Sequence, residues 1–352
     1  MRVNRIVIAS AAVVALQMVA VIPLLPRAPS GSLGYTMPAN PVDGALAQQL
    51  KALMENSGGT IDALVILRNG QVLFEGGAIA RPMNVASVRK GVLGMLFGIA
   101  AARGLVDLEA TLEDLDIDES QTPLTTLEKK ATVLNLLAAR SGVYLAGDAE
   151  GDLSASLLPK RGSLAPGDAF AYSNWGFNAL GTIFEQETCL TLGQAFADWI
   201  AIPTGMQDFA PSHIFKDRDA GPSDHPAYRV MLSARDLARF GALITNDGQY
   251  HGREVIPQAW IKRSATPLSN VGPPLTGTPF ESYGLSWWLD PVKGDMVAAG
   301  SGGQFLFVGR WDGLTVAILN DTGTTVARHL WHKLKGRSGS GATLLTVIGL
   351  LR

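Results

Sequence analysis

The chain has 352 residues, is 47% hydrophobic, and carries only 17% charged residues for a formal net charge of −2. That is enough apolar material for a large core. The lysines and arginines are scattered, with no basic stripe and no acidic tail, which excludes a nucleic-acid-binding surface of the usual kind.

In chain order, Arg2 and Arg5 precede a nearly uninterrupted apolar run from Ile6 to Leu25. Such a segment is an export signal or an N-terminal anchor, long enough to span a bilayer, and the two arginines would keep its start on the cytoplasmic side. Residues 1–27 are therefore assigned to a signal or anchor. The bulk of the chain is expected outside, periplasmic or held on the outer face of the cytoplasmic membrane. Residues 28–44, rich in Pro, Gly and Ser, form a linker.

Ala45 to Asn56 predicts a helix. "ALVILRNGQVLFEGG" holds two apolar runs around Asn69-Gly70, a hairpin signal because Asn-Gly accepts the positive φ of a tight turn. A long apolar helix follows Ser87 and stops near Gly104. From about residue 105 to 220 the pattern is helical, with "TLEKKATVLNLLAARSG", "SNWGFNALGTIFEQETCL" and "LGQAFADWI" each carrying helical periodicity. "LSARDLARFGALITNDG" predicts a helix capped by Ser233. "YGLSWWLD", "MVAAG", "QFLFVGR" and "LTVAILN" predict short strands, and helix-like residues run on to about Lys335. The order strands, helices, strands predicts an α+β fold. An antiparallel sheet built from both chain ends is flanked by helices and interrupted by a mostly helical insertion. The expected domains are 45–105 with 221–335 for the α/β part and 106–220 for the helical part. Residues 336–352 are a Gly/Ser linker and a short apolar tail, whose role as docking segment, interfacial anchor or loose end stays open.

One cysteine, Cys189, excludes an internal disulfide and is expected to be buried and inert. The histidines His213, His225, His251, His329 and His332 lack metal-ligand spacing, so no metal and no cofactor is expected.

Three stretches carry chemistry. The chain holds one Ser-x-x-Lys step, Ser87 to Lys90, where chance alone predicts about 0.6. Serine also favours helix starts, so Ser87 is either a cap or a nucleophile. Three residues apart on a helix, Lys90 reaches the Ser87 hydroxyl, and burial in apolar surroundings favours the neutral amine that would take its proton. Tyr172-Ser173-Asn174 follows a Pro-Gly turn and precedes a helix. Tyr172 would relay a proton and Asn174 would bond a substrate carbonyl, or the pair would merely pack and cap. In "VAAGSGGQFLFVG", Gly300, Gly302 and Gly303 interrupt a strand around Ser301, the mark of a bulge or of a close backbone approach to ligand. Trp287 and Trp288 either wall the pocket or belong to the core.

These three motifs, in this order, resemble the serine β-lactamase-like superfamily, the group of class C β-lactamases, D,D-peptidases and esterases. "GIAAARGLVDLEATLEDL", "PGDAFAYSNWGFNALGTIFE" and "SARDLARFGALITNDGQYHGREVIP" extend the likeness over roughly residues 45–335. The resemblance implies a β-lactamase/transpeptidase-like fold. Ser87 would be the nucleophile, with Lys90 and Tyr172 handling the proton. Asn174, Gly300, Ser301, Gly302 and Gly303 would contact substrate, with the oxyanion held by the N–H groups of Ser87 and Gly303. Gly300 stands where the family carries Lys or His, and this third motif is more similar to the amidase and esterase branch, including the nylon-oligomer hydrolase type. The expected function is an exported serine hydrolase acting on small esters or amides. A β-lactamase or D,D-carboxypeptidase is the alternative enzyme, and a catalytically silent binding protein is the alternative outside enzymology. No role is assigned to "AARSG".

Overall fold

The computed structural model describes residues 37, 39–149, 158–217, 221, 223–272, 278–322 and 341–352. Helix α1 (Gly44–Asn56) opens the body, with the Asp43 carboxylate accepting from Leu46 N at 2.9 Å. Strands β1 (Ala63–Arg68) and β2 (Gln71–Gly77) form the expected hairpin, and Asn69 and Gly70 take the required positive φ of 51° and 75°. After β3 (Met83–Asn84) comes a 3-10 turn (Ala86–Val88) that runs into α2 (Arg89–Ala102). The middle of the chain supplies α3 (Val133–Leu137), α4 (Asn174–Thr188), α5 (Leu192–Phe196), β4 (Ile214–Lys216) and β5 (Tyr228–Leu232). Then follow α6 (Ala234–Thr245), β6 (Gln249–Tyr250), β7 (Arg253–Glu254) and α7 (Gln258–Ser264). The last strands are β8 (Ser269–Asn270), β9 (Ser282–Tyr283), β10 (Trp288–Leu289), β11 (Met296–Gly300), β12 (Gln304–Val308) and β13 (Leu314–Leu319), and α8 (Gly341–Leu351) closes the chain.

Eight strands form one antiparallel sheet in the order β2-β1-β13-β12-β11-β10-β9-β8. The β1–β13 pairing, Ala63 opposite Leu319 through Arg68 opposite Leu314, joins the two ends of the chain as the strand–helix–strand order predicts. Side chains alternate across the sheet. Ala63, Val65 and Leu67 face the large core shared with α2, α4 and α6, while Leu64 and Ile66 face a second core with Leu50 of α1 and Leu344, Val347 and Ile348 of α8. Both faces are covered, so β13, "LTVAIL", is buried along its whole length and apolar except for Thr315.

Several expectations change. The helix read in "TLEKKATVLNLLAARSG" is broken: Ala131 and Thr132 are extended, and Thr132 starts the short α3 with a capping box to Asn135. Cys189 is exposed rather than buried, because it sits past the end of α4 in the left-handed conformation (φ 54°) instead of on its apolar face. The short strands β3, β5 and β4 form a second sheet that periodicity did not reveal. The apolar tail is settled as a docked helix. Ser233 caps α6 as expected, accepting from Asp236 N at 3.2 Å. The leader, residues 323–335 and the pair His329 and His332 lie outside the described residues.

Candidate active site

Ser87 lies in the middle of the 3-10 turn, one turn ahead of α2, and it caps neither element: no side-chain cap bond is made at either start. The residue before it, Ala86, is held at φ 48°, a conformation that costs a β-carbon-bearing residue about 1 kcal/mol or more and persists where surroundings enforce it. Here the enforcement is visible. Asn84 Oδ1 accepts from Ala86 N at 2.9 Å, and the end of β11 presses on the turn.

Lys90 follows on the first turn of α2 and is 1% exposed. Its Nζ lies 3.5 Å from Ser87 Oγ and 2.6 Å from Asn174 Oδ1. It also stands 3.8 Å from the centre of the Tyr172 ring and 4.9 Å from that of Phe177. The ring faces and the amide oxygen favour the ammonium, while removal from water opposes it. Ser87, Lys90, Tyr172 and Asn174, up to 87 residues apart in the chain, thus meet around one amine. Asn174 is not a cap either. It is the first residue of α4, and while its Oδ1 accepts a hydrogen bond from Lys90 Nζ, its Nδ2 donates to Ala149 O at 2.9 Å.

Tyr172 is fixed by aromatic packing. It stacks on Trp288 at 5.3 Å between ring centres and 27° between planes, and meets Tyr283 edge-on at 6.1 Å. Burial pushes the Tyr283 phenol well above its ordinary pKa, with Tyr172 and Tyr228 adding to the effect, so Tyr283 stays a neutral wall. The two tryptophans divide: Trp287 is fully buried against α2 at Gly91, whereas the half-buried Trp288 lines the site beside Tyr172.

Sequence reading missed Arg140, in the "AARSG" step. Its Nε donates to Gly167 O at 2.9 Å and its Nη1 to Leu268 O at 2.8 Å and Ser269 Oγ at 3.0 Å. Gly167 N donates back to Arg140 O, and Ala171 N donates to Ala139 O, both at 2.8 Å. The loop carrying Tyr172 is therefore tied at both ends to residues 139–140 and to β8. The only sequence signal was an arginine in an otherwise apolar stretch.

The glycine stretch divides as well. A β-carbon on Gly300 would stand 2.6 Å from Val85 O and 3.0 Å from Ser87 N, so the strand end touches the nucleophile turn directly. Two residues back on the same face, Ala298 is 3% exposed and packs over Gly91. Neither position has room for a basic side chain, which gives a physical reason for glycine where the family carries Lys or His. Ser301 is exposed at the hairpin tip. Gly302 and Gly303, at φ 82° and 84°, turn back into β12, and their carbonyls accept from Asn320 Nδ2 at 2.7 and 3.2 Å. The strand end at Gly300 thus lies against the Ser87 turn. No group of side chains able to hold a metal is found among the described residues.

Comparison with known proteins gives the family and the fold. The family model described as Beta-lactamase matches residues 46–336. Among solved structures, one described as a 6-aminohexanoate-dimer hydrolase from Bacillus anthracis is 21% identical, covering 86% of this chain and 88% of its own, with a TM-score of 0.62. One described as a beta-lactamase from Bacteroides dorei is 19% identical over 79% and 90%, with a TM-score of 0.60. The octameric penicillin-binding protein homologue from Pyrococcus abyssi is 16% identical over 84% and 78%, with a TM-score of 0.58. No curated protein matches the chain. Through a match that takes in all three motifs and most of its length, the chain belongs to the Beta-lactamase family, with a serine-hydrolase type of fold.

Proposed function

We propose that the protein is an exported serine hydrolase that cleaves small esters or amides through an acyl-enzyme on Ser87. The observation that carries the reading is the meeting of Ser87 Oγ, Lys90 Nζ and the Tyr172 ring within hydrogen-bond and ring-contact distances. Ser87 Oγ attacks the substrate carbonyl while Lys90 and Tyr172 accept its proton and return it to the leaving group. The N–H groups of Ser87 and Gly303 stabilise the developing oxyanion. Water then attacks the acyl-enzyme and frees Ser87. Asn174, rather than taking the substrate carbonyl, orients the amine.

The packing at Ala298 and Gly300 favours neutral substrates over β-lactams, whose carboxylate calls for a cation at this strand. The fully packed Lys90 and its ring partners speak against a silent scaffold, since burying an amine is costly where it has no task.

The test is a substrate panel with mass labelling. Turnover of p-nitrophenyl acetate or butyrate is expected, with nitrocefin slow, and a fluorophosphonate adduct is expected on Ser87. Rapid nitrocefin turnover would move the assignment to β-lactamase or D,D-carboxypeptidase. Absence of any adduct on the folded protein would favour the binding protein.

A further inference from the structure

Strands β11 and β12 have one end at the Ser87 turn and the other at a surface with a different character. β11 leaves that second surface at Met296 and reaches the nucleophile turn at Gly300, about 14 Å further on at strand rise. The far surface is built from three linked features. The Asn69 turn bonds the 309–313 turn, with Asn69 N donating to Gly313 O at 3.0 Å. Trp311 Nε1 donates to Lys293 O in the 290–295 turn. The end of α8 is held there too, with Leu351 O accepting from Arg68 Nη2 at 2.8 Å.

Two large apolar side chains project from this surface. Val292 is 89% and Trp311 82% exposed, the highest values among the large hydrophobic residues described. They flank an open cleft of about 630 Å³ whose lining includes Arg68, Lys293, Asp312, Leu351 and Arg352. Arg352 is committed to Asp295 and Asp312, at 2.7 and 2.8 Å, while the Lys293 side chain stands exposed at the rim. An exposed tryptophan and valine, with Lys293 and Arg68 beside the ion-paired Arg352 and Asp312, suit the headgroup layer of a bilayer.

The way the chain enters favours the same partner. Ala39 bridges Val72 in parallel, and Asn40 N and Val42 N donate to Val72 O and Leu73 O. Running in the direction of β2, the chain arrives at Ala39 from the side of the Asn69 turn. Only residues 26–36 separate Met37 from the apolar run Ile6–Leu25, and eleven residues span at most about 40 Å. No described helix is long and apolar enough to cross a membrane, so any contact of the folded body is with the bilayer surface.

We infer that the Val292–Trp311 end of the sheet rests on the phospholipid headgroups beside the anchored N-terminal segment, so that the Ser87 end faces water and takes dissolved substrates rather than bilayer lipids. The inference rests on the membrane reading of residues 6–25 and not on the chemistry of Ser87.

The full chain is reconstituted into phosphatidylcholine vesicles with about one third phosphatidylglycerol. A nitroxide is placed at Val292→Cys or, as a reference, at Ile202→Cys, which is 71% exposed after α5, each in a Cys189→Ser background. Flotation reports anchoring, and collision with oxygen and with a water-soluble nickel complex reports depth. The expected result is flotation, with the label at 292 losing nickel and gaining oxygen access by several-fold, the label at 202 unchanged, and p-nitrophenyl butyrate turnover equal in vesicles and detergent. A floating chain whose label at 292 stays as nickel-accessible as that at 202 overturns the inference while leaving the anchor intact. So does a label shielded from both reagents, the sign of a protein partner, or turnover lost on reconstitution. A chain that does not float removes both the anchor and the inference, with the hydrolase reading untouched.

Discussion

Asn174 holds Lys90 more closely than Ser87 does: its Oδ1 is 2.6 Å from Lys90 Nζ, against 3.5 Å for Ser87 Oγ. The amide therefore sets where the amine points, and its neutrality matters. Asn174→Asp would place a carboxylate at the same distance, stabilising the ammonium and raising the pH at which Lys90 loses its proton. The expected result is a fall in kcat of about 10²-fold near pH 7, partly recovered at higher pH, because the acid limb of the pH–rate profile moves up. A profile of unchanged shape would show that Lys90 does not act as the base.

The tie between Arg140 and the Tyr172 loop predicts a positioning effect. Arg140→Ala removes donors to Gly167 O, Leu268 O and Ser269 Oγ and leaves these acceptors to find water. A loss of about 2 kcal/mol in stability is expected from charge-assisted bonds of this kind. If Arg140 also sets the phenol, kcat falls more than KM rises, and Arg140→Lys restores stability only in part because a single ammonium cannot span three acceptors. Equal kcat in Arg140→Ala would reduce the residue to a structural strap.

Gly300 gives a sharper prediction, since it opposes an intuitive repair. Installing the family's cation by Gly300→Lys puts a β-carbon 2.6 Å from Val85 O, a backbone atom with little freedom to yield. The variant is expected to lose esterase activity by 10-fold or more and about 1–3 kcal/mol of stability, without gaining nitrocefin hydrolysis. Gly300→Ala should show most of the same loss, which separates the steric cause from the charge. A Gly300→Lys enzyme that turns over nitrocefin would refute the steric account.

Much of this was legible in the sequence for local reasons. Asn69-Gly70 demands a tight turn, Ser233 announces a helix start, and Ser87, Lys90 and Tyr172 are rare enough as spaced motifs to be found without coordinates. What escaped depends on contacts between distant segments. Arg140 looks like any surface arginine until the carbonyls of Gly167 and Leu268 are brought to it. Cys189 reads as part of an apolar helix, yet the backbone turns left-handed one residue past its end and exposes the thiol. The substrate role expected of Asn174 and the oxyanion role expected of Gly303 came from motif order, whereas the contact of Asn174 Oδ1 with Lys90 and the approach of Gly300 to the Ser87 turn depend on the path of the chain.

Acid sensitivity is expected to enter through His225, which is 5% exposed and linked to α4. Its Nδ1 lies 3.2 Å from Thr182 Oγ1 and its Nε2 3.1 Å from Asp118 O, and its ring meets Trp175 edge-on. Burial lowers its pKa below the ordinary 6.5, outweighing the nearby Glu119, Asp118 carbonyl and Asp224, which act the other way. The folded state therefore binds fewer protons here than the unfolded chain. The resulting stability is complete above pH 6.5 and is lost as pH falls below that value through the folded pKa. The urea midpoint is expected to drop between pH 7 and pH 5. His225→Gln, which keeps a donor and an acceptor but cannot titrate, should flatten that part of the curve. An identical pH slope in both proteins would place the acid sensitivity elsewhere. Because α4 begins at Asn174, loosening around His225 should also cost activity before global unfolding, read as a kcat that declines ahead of the loss of near-UV ellipticity.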